Sequence, residues 1–420
     1  MATTPALLVH DRDVTRVWRP RGDLSGGRRT RQVYEYHAYV PRKIADVDPV
    51  LAASTVEQVR RAEDACRALN EDPPTLLSLE AVARQLLRAE AVASSRIEGL
   101  VLSHKRLAEA AFVRERHDPD ARAVLANVLA VERGIELVTT APEVSVGLLV
   151  DVQRVLFEGT RDERLGGRIR EQQNWIGGYA DGPRGAVFVP PPEDLVPGLL
   201  ADLCEFCNRD DLSPALQAAV AHAQFETIHP FLDGNGRVGR ALIHILLRRR
   251  GIAPRYVPPL SLVLAGWADR YVHGLTDYRE DVPESWLTVF AEALERSALA
   301  AHGFAEKVSA LQEQWLEQAG RPRPQSVARK LVALLPAHPV VDLATVRTIT
   351  GATSEAVRQA ILRLERAGVL VEVRGVRRNR VWESVGLFAL LDGLERDLGP
   401  EGRTPRRQPA SAVSAPAQEG

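Results

Sequence analysis

Twelve residues near the middle of the chain, His229 to Arg240, constrain its fold more than any other segment. They read His-Pro-Phe-Leu-Asp-Gly-Asn-Gly-Arg-Val-Gly-Arg and lead into an apolar pattern at helical spacing. Glycine and asparagine accept the positive φ angles that turn successive N–H groups inward. The pattern therefore predicts an inward-facing turn, Gly234, Asn235 and Gly236, at the N-terminus of a helix. Such helix ends attract anions because their first N–H groups have no partner within the helix.

The charged residues around this turn point to phosphate chemistry. Arg237 and Arg240 are three positions apart and leave the same face of the predicted helix. Two guanidinium groups beside such a turn suit a polyphosphate better than a single carboxylate. Asp233 supplies the kind of oxygen ligand that Mg²⁺ prefers, and His229 can accept a proton from a hydroxyl near neutral pH.

A dinucleotide-binding fingerprint is an alternative interpretation, because the glycines also match Gly234-x-Gly236-x-x-Gly239. That fingerprint requires a preceding strand and an acidic residue about twenty positions later. Here the preceding segment is helical in pattern, and no acidic residue occurs between Arg240 and Asp269. Taken singly, a histidine is usually a packing or surface residue and Gly-Asn-Gly is usually a turn. The combination carries the prediction of a phosphate site.

The segment resembles the signature of the Fic family, His-x-Phe-x-(Asp/Glu)-Gly-Asn-Gly-Arg-x-x-Arg, at every defined position. Members with an intact signature typically move AMP from ATP to a Ser, Thr or Tyr hydroxyl of a protein. The resemblance implies that His229 is the base and that Asp233 holds Mg²⁺. It also implies that ATP is bound by the residues that follow, Gly234, Asn235, Gly236, Arg237, Val238, Gly239 and Arg240.

A second motif lies at the end of an amphipathic helix that is predicted to stop at Gly99. Glu98 falls in its last turn, where the helix dipole disfavours an acidic residue, and the pattern alone favours a solvated glutamate. Ser94, Glu98 and Gly99 match the inhibitory motif (Ser/Thr)-x-x-x-Glu-(Gly/Asn) of Fic proteins. The resemblance implies that Glu98 pairs with Arg240 and obstructs the ATP γ-phosphate, with Ser94 holding the carboxylate.

Two β-prone runs, residues 168–178 and 186–192, are separated by Gly and Pro residues and predict a hairpin. They resemble the Fic flap, which binds the target segment by strand addition. Ile176 and Phe188 are therefore the expected target clamps. Further along, Ala-Asp-Arg-Tyr271 resembles the segment that lines the nucleotide pocket, although core packing of Tyr271 is the alternative.

Composition sets the outer bounds. A chain of 420 residues is expected to hold two or three domains, and its net charge of −1 gives no general attraction to nucleic acid or membrane. We find no apolar run that could span a bilayer and no signal-peptide pattern, which predicts a cytoplasmic protein. The cysteines fit a reducing compartment. Cys204 and Cys207 lie on an apolar helical face, so core packing is favoured over a metal site.

The predicted fold is mainly α, with a Fic-type helical core, a β-hairpin flap and a small C-terminal winged helix-turn-helix domain. The predicted segments are a partly ordered arm (1–45), an N-terminal helical region with the inhibitory helix (46–115), the catalytic core (116–318), the winged helix (321–385), a terminal helix (386–400) and a disordered tail (401–420).

The C-terminal pattern leaves two roles open. Arg358 and Arg363 lie on the predicted recognition helix, and a basic turn spans Arg374 to Arg380, which is compatible with DNA binding. Protein interaction or dimerisation is the alternative. The whole chain is predicted to be an adenylyltransferase that uses ATP and Mg²⁺ and acts on protein targets and on itself. The alternatives are a DNA-binding regulator that senses nucleotide through the Fic module, and an enzyme that removes AMP.

Overall fold

The computed structural model describes residues 10–19, 32–71, 79–110, 118–179, 181–373 and 380–399. The described part of the chain is mainly helical, which confirms the predicted fold class. Its helices are α1 (Ala53–Glu71), α2 (Leu79–Ile97), α3 (His104–Ala110), α4 (Pro119–Thr140), α5 (Val146–Phe157), α6 (Val196–Cys207), α7 (Pro214–Ile228), α8 (Asn235–Arg249), α9 (Leu260–Gly266), α10 (Ala268–Arg279), α11 (Pro283–Gln318), α12 (Val327–Leu334), α13 (Leu343–Thr350), α14 (Ser354–Arg366) and α15 (Leu387–Leu398).

Within the described ranges, five strands form two small antiparallel sheets: β1 (His10–Trp18), β2 (Tyr34–Pro41), β3 (Val340–Asp342), β4 (Leu370–Glu372) and β5 (Val381–Ser384). The first sheet pairs β1 with β2, and the second has the order β3-β5-β4. None of the helices in the described ranges is both long and apolar enough to cross a membrane.

Helix α7 is the centre of the fold, since every residue from Ala215 to Ile228 is buried. Ser213 begins it by accepting a hydrogen bond from the backbone N–H of Leu216, and Pro214 occupies the first turn, where no N–H is needed. Helices α6, α8 and α11 pack around it. A helix buried on all sides gives the loop that follows it a fixed starting point.

The predicted arm has structure that its own sequence does not explain. Strand β2 lies beside the flap, where the Tyr39 N–H donates to the Val189 carbonyl at 2.9 Å. The Tyr36 hydroxyl donates to Gln173, and the Trp18 and Trp175 rings meet edge to face at 5.2 Å. The arm therefore packs against residues far away in the chain, and periodicity within the arm could not show this.

The region after α11 contains three helices, α12 to α14, and the three-stranded sheet, followed by α15. We call its described residues, 321–373 and 380–399, the C-terminal module. Strand β3 was missed in the sequence, because three apolar or acidic residues before a helix give no alternation to detect. The name winged helix stays a prediction. The basic turn up to residue 379 and the predicted tail lie outside the described residues.

Candidate functional site

His229 ends α7 in the left-handed region, with φ 49° and ψ 61°. A residue with a side chain pays a steric cost in this conformation, so neighbouring groups must hold it there. The Arg170 Nε donates to the His229 carbonyl at 2.9 Å, and the Asn174 amide donates to the same carbonyl at 3.3 Å and to that of Phe231 at 2.9 Å. Two side chains from the base of the flap therefore fix the loop that carries His229.

The imidazole of His229 is half-buried, with Nδ1 3.4 Å from the carbonyl oxygen of Glu226. Burial, reinforced by the positive charge of Arg170, lowers the pKa of His229 to about 4. The ring is therefore neutral at pH 7. When Nδ1 donates to the Glu226 carbonyl, the Nε2 lone pair is free to accept a proton.

The predicted turn of three inward-facing residues is wrong in one respect. Gly234 has a positive φ of 82°, but Asn235 and Gly236 already belong to the first turn of α8. Asn235 is committed there because its side chain accepts from the Phe231 N–H and donates to the Phe231 carbonyl, both at 2.9 Å. The free N–H groups are consequently those of a helix N-terminus, which still favours an anion.

Glu98 lies against this helix end and contacts Arg240. One carboxylate oxygen, Oε1, accepts from the Arg240 Nη2 at 2.7 Å. Burial by itself raises the pKa of Glu98, but the nearby Arg240, helped by Arg237, outweighs that effect and holds the pKa below its ordinary value. The carboxylate is therefore charged at neutral pH, in the position where an anion would meet α8.

Gly236 shows how closely Glu98 approaches the helix. A Cβ atom at Gly236 would overlap the Glu98 Oε1 and would lie 2.9 Å from the Arg240 Nη1. Only glycine leaves room for a negatively charged oxygen directly over the first turn of α8. Close approach to an anion, rather than a positive φ, is therefore the structural requirement at this position.

Ser94 acts on a different partner from the one expected. Its hydroxyl accepts from the Arg240 Nε at 2.8 Å, and its carbonyl accepts from the Arg240 Nη2 at 2.9 Å. The guanidinium thus contacts the last turn of α2 as well as Glu98, at a helix end where backbone carbonyls lack partners within the helix. Ser94 orients Arg240, and Glu98 is held through that arginine. Gly99, with φ 85°, forms the turn that ends the segment.

Asp233 and Arg237 lie next to each other at the start of α8. The Asp233 Oδ1 accepts from the Gly234 N–H at 2.6 Å and lies 3.9 Å from the Arg237 Nη2. Burial raises the pKa of Asp233, although its side chain is still 36% exposed. Within the described ranges no group of three or more His, Cys, Asp and Glu side chains is placed to hold a metal ion. A lone carboxylate still fits Mg²⁺ that is shared with substrate phosphates.

Three of the expected ATP contacts face the core. Val238 is 1% exposed within the apolar cluster, and a Cβ at Gly239 would lie 2.5 Å from the Glu226 Oε1 on α7. The hydroxyl of Tyr271 lies 2.8 Å from the His222 Nε2, and its ring packs on Trp286 at 5.7 Å. Helix packing accounts for the positions of all three, because α7, α8 and α10 meet here.

The flap is less regular than the predicted hairpin. Its two runs meet in a single antiparallel bridge, between Ile176 and Phe188, and a second bridge joins Tyr179 to Gly182 in the loop between them. The chain turns at Gly177 and Gly178, which both have a positive φ. Both predicted clamp residues are partly exposed. The Phe188 ring packs between the ring of Tyr39, at 5.6 Å, and the guanidinium carbon of Arg279, at 4.1 Å.

Four residues near the site were missed in the sequence: Arg170, Asn174, Glu226 and Arg279. Glu226 is 8% exposed, its Oε1 has no hydrogen-bond partner among the described residues, and burial raises its pKa to about 7. Arg170 and Asn174 belong to the run that resembles the flap, and that resemblance was the available signal. Glu226 precedes His229 by one helical turn, a spacing that gives no signal by itself.

Comparison with known families identifies the two halves of the site. Residues 143–247 match the Fic/DOC family, and residues 56–136 match the Fic/DOC family N-terminal region. The chain therefore contains a Fic domain and the N-terminal region that accompanies it in that family. The segment from His229 to Arg240 lies within the first match, and Ser94, Glu98 and Gly99 lie within the second. The C-terminal module lies outside both.

Curated relatives of this Fic protein match over short stretches. Protein adenylyltransferase fic-1 of Caenorhabditis briggsae is 29% identical over 140 residues, which is 33% of this chain and 25% of the relative. Protein adenylyltransferase Fic of Drosophila willistoni is 34% identical over 120 residues, 28% of this chain and 22% of the relative. The probable protein adenylyltransferase of Aquifex aeolicus is 41% identical over 69 residues, 16% and 22% of the two chains. The chain spans about a quarter of the length of these relatives.

Solved structures show the same fold. A Fic family protein from Desulfovibrio desulfuricans superposes with a TM-score of 0.50 at 19% identity, covering 80% of this chain and 97% of that one. Fic-1 from Caenorhabditis elegans gives a TM-score of 0.50 at 22% identity, covering 61% and 74%. These likenesses support the helical architecture of the Fic core.

Replacing Arg170 with methionine should destabilise the loop that carries His229. The substitution keeps an apolar stem but leaves the carbonyls of Gln172 and Pro191 without this donor, and the His229 carbonyl keeps only the longer bond from Asn174. Unsatisfied buried acceptors cost about 1–3 kcal/mol each, so we expect a loss of about 3 kcal/mol in the free energy of unfolding. Denaturant titration measures it. Arg168→Met, two residues away at an exposed position, is the matched control, and equal stability of the two variants would contradict this role of Arg170.

Proposed function

We propose that this Fic protein is a protein adenylyltransferase that moves AMP from ATP to a Ser, Thr or Tyr hydroxyl of target proteins and of itself, and that Glu98 restrains it. The observation that carries the proposal is the Glu98 carboxylate, which lies over Gly236 on the first turn of α8 while bonded to Arg240. A charged oxygen accommodated at this point marks where a phosphate oxygen of ATP would bind. Curated relatives named protein adenylyltransferase support the same activity.

In the proposed reaction, the N–H groups of the first turn of α8 and the guanidinium groups of Arg237 and Arg240 bind the ATP phosphates. Transfer of a phosphoryl-type group depends mainly on such positioning and on neutralising negative charge. Asp233 would hold Mg²⁺, which when bound neutralises phosphate oxygens. Because the described residues hold no group of three or more His, Cys, Asp and Glu side chains suited to a metal ion, Asp233 would share the ion with the substrate phosphates.

His229 would act as the base. Its Nε2 accepts the proton of the target hydroxyl, and the hydroxyl oxygen forms a bond to the α-phosphorus of ATP. The bond from that phosphorus to the oxygen that bridges it to the β-phosphate breaks, and pyrophosphate leaves with the electron pair. The low pKa of His229 keeps the ring neutral and ready to accept the proton at pH 7.

Glu98 would restrain the enzyme by occupying two partners at once. Its carboxylate engages Arg240 and covers Gly236, so the γ-phosphate cannot reach the helix end and the arginine together. A charge-assisted pair of this kind contributes about 1.5–3 kcal/mol. ATP must therefore displace Glu98 or bind in another pose, and either outcome slows transfer.

The target would bind at the flap. Ile176 and Phe188 are partly exposed on either side of the bridge, and they are the proposed clamps around the segment that carries the hydroxyl. Strand β2 already bonds to the backbone at Val189. Strand addition by the target is therefore proposed along the side of Ile176.

DNA binding is not needed for this proposal, and the contacts of the expected DNA-reading arginines are local. Arg363 donates to the carbonyls of Ala319 and Gly320 at the end of α11, and Arg358 pairs with Glu355 at 3.3 Å. Arg380 pairs with Glu365 and Glu372. DNA contact, a homodimer and a cytoplasmic location stay predictions.

Glu98→Gly should raise self-modification by about 10- to 100-fold, the factor that corresponds to losing one charge-assisted pair. The measurement is transfer of label to the purified protein from ATP labelled at the α-phosphate and, in parallel, at the γ-phosphate. We expect label from the α position alone, and none when His229→Ala is added, because a lost base slows transfer by about 10²–10⁴-fold. Label from the γ position would mean phosphorylation and would reject the proposed reaction.

The pH dependence of Glu98→Gly should reflect the unusual pKa of His229. An ordinary histidine base is protonated below about pH 6.5 and would lose activity there. Since the pKa of His229 is lowered to about 4, the rate should stay level as the pH falls to about 5.5 and decline only on approach to 4. Removing Glu98 moves the midpoint further down, because its negative charge favours the protonated ring. A midpoint near 6.5, with the fold intact by circular dichroism, would contradict this.

Arg240→Ala, made in the Glu98→Gly background, should lower kcat/KM for ATP by about 10- to 100-fold through loss of a charged phosphate contact. The background separates this effect from release of Glu98. The comparison variant is Arg249→Ala, on the same helix, whose guanidinium pairs with Asp210 away from the site. Unchanged kcat/KM in the Arg240 variant would remove that arginine from the proposed ATP site.

A further inference from the structure

The C-terminal module is attached to α2, the helix that carries the inhibitory motif. The Gln85 side chain donates to the Pro336 carbonyl at 2.6 Å, and the Arg88 Nη1 donates to the Ala337 carbonyl at 3.4 Å. These contacts lie along the middle of α2. A third contact, formed by Arg96, lies at the end of the helix, two residues before Glu98.

One carboxylate of α15 joins the two sides of the inhibitory turn. The Arg96 Nη2 donates to both oxygens of Glu395, at 2.9 and 3.0 Å. The His104 Nε2, at the start of α3, lies 2.8 Å from the Oε1 of the same carboxylate. Arg96 precedes the turn at Gly99 and His104 follows it. Glu395 therefore links the two ends of the short segment, 96–104, that contains Glu98.

The surroundings favour a firm contact. The Glu395 side chain is 20% exposed and that of His104 is 4% exposed. Burial raises the pKa of Glu395, but His104 and Arg96 outweigh burial and hold the pKa below its ordinary value. A charged carboxylate removed from most solvent depends on its partners, and losing one of them is costly.

We propose that Glu395 is a positioning residue for Glu98, so that docking of α15 keeps the inhibitory carboxylate over α8 and displacement of α15 releases it. This inference rests on the proposed function and names the part of the chain that regulates it. The C-terminal module thereby acts as the regulatory element of the nucleotide site. Whatever moves α15 away from α2 and α3 activates the enzyme, without itself touching ATP.

The test compares Glu395→Gln with Asp397→Asn in the full-length chain. Asp397 is the matched control, since it lies on the same helix but pairs with Lys307 of α11 at 3.4 Å. Coupling between two linked sites changes activity by about 5- to 150-fold, and we expect about tenfold faster self-modification for Glu395→Gln. Asp397→Asn should match the wild type. Arg96→Gln, which removes the other partner, should reproduce the effect of Glu395→Gln.

The same substitution made in the Glu98→Gly background should change nothing, because no carboxylate remains to be positioned. Acceleration in both backgrounds, or in neither, would overturn the role of Glu395. A merely destabilised protein would slow in both. If Glu98→Gly itself shows no transfer, the proposed function fails. In that case, amide hydrogen exchange of residues 94–104 tests whether Glu395 holds this segment in place. Glu395→Gln should speed exchange there, and unchanged exchange would reject the inference.

Discussion

The pairing of the Glu98 carboxylate with the Arg240 guanidinium is the contact on which the arrangement of the site depends. It joins the end of α2 to the beginning of α8. The Arg240 side chain is only 2% exposed, whereas that of Glu98 is 33% exposed, so the buried guanidinium is the partner that most needs the pair. Ser94 adds two acceptors for the same guanidinium. The end of α2 and the residue that follows it therefore bind Arg240 through a hydroxyl, a carbonyl and a carboxylate. A helix end that would bind an anion from solution is therefore already engaged by an anion of the same chain.

The loop that carries His229 is held by a separate set of contacts. Helix α7 is buried on every side, and His229 leaves it in a left-handed conformation that Arg170 and Asn174 hold through backbone carbonyls. Those two residues stand at the base of the flap, so the proposed base and the proposed target clamps share one support. Precision of this kind suits a reaction in which positioning supplies most of the rate. Burial, rather than pairing with a carboxylate, sets the pKa of His229.

Two segments near the ends of the chain contact the surroundings of the site. The β1–β2 hairpin extends the flap through Tyr39, while α15 reaches the inhibitory turn through Glu395. The first contact lies beside the proposed target clamps, and the second lies beside the segment that carries the proposed inhibitory carboxylate. The sequence distances are large in both cases.

The sequence by itself determined the mainly helical fold, the likeness to the Fic signature and the position of the proposed phosphate-binding helix end, because residue spacing encodes these features. It also placed Glu98 at the end of α2, although the pattern alone favoured a solvated glutamate there. Tertiary structure alone decided that Ser94 serves Arg240, that Val238, Gly239 and Tyr271 face the core, and that Gly236 is required by the approach of Glu98. It also decided the roles of Arg170 and Glu395. The physical reason is that periodicity reports which face of an element is buried, whereas contacts between charged groups far apart in sequence depend on how the elements pack.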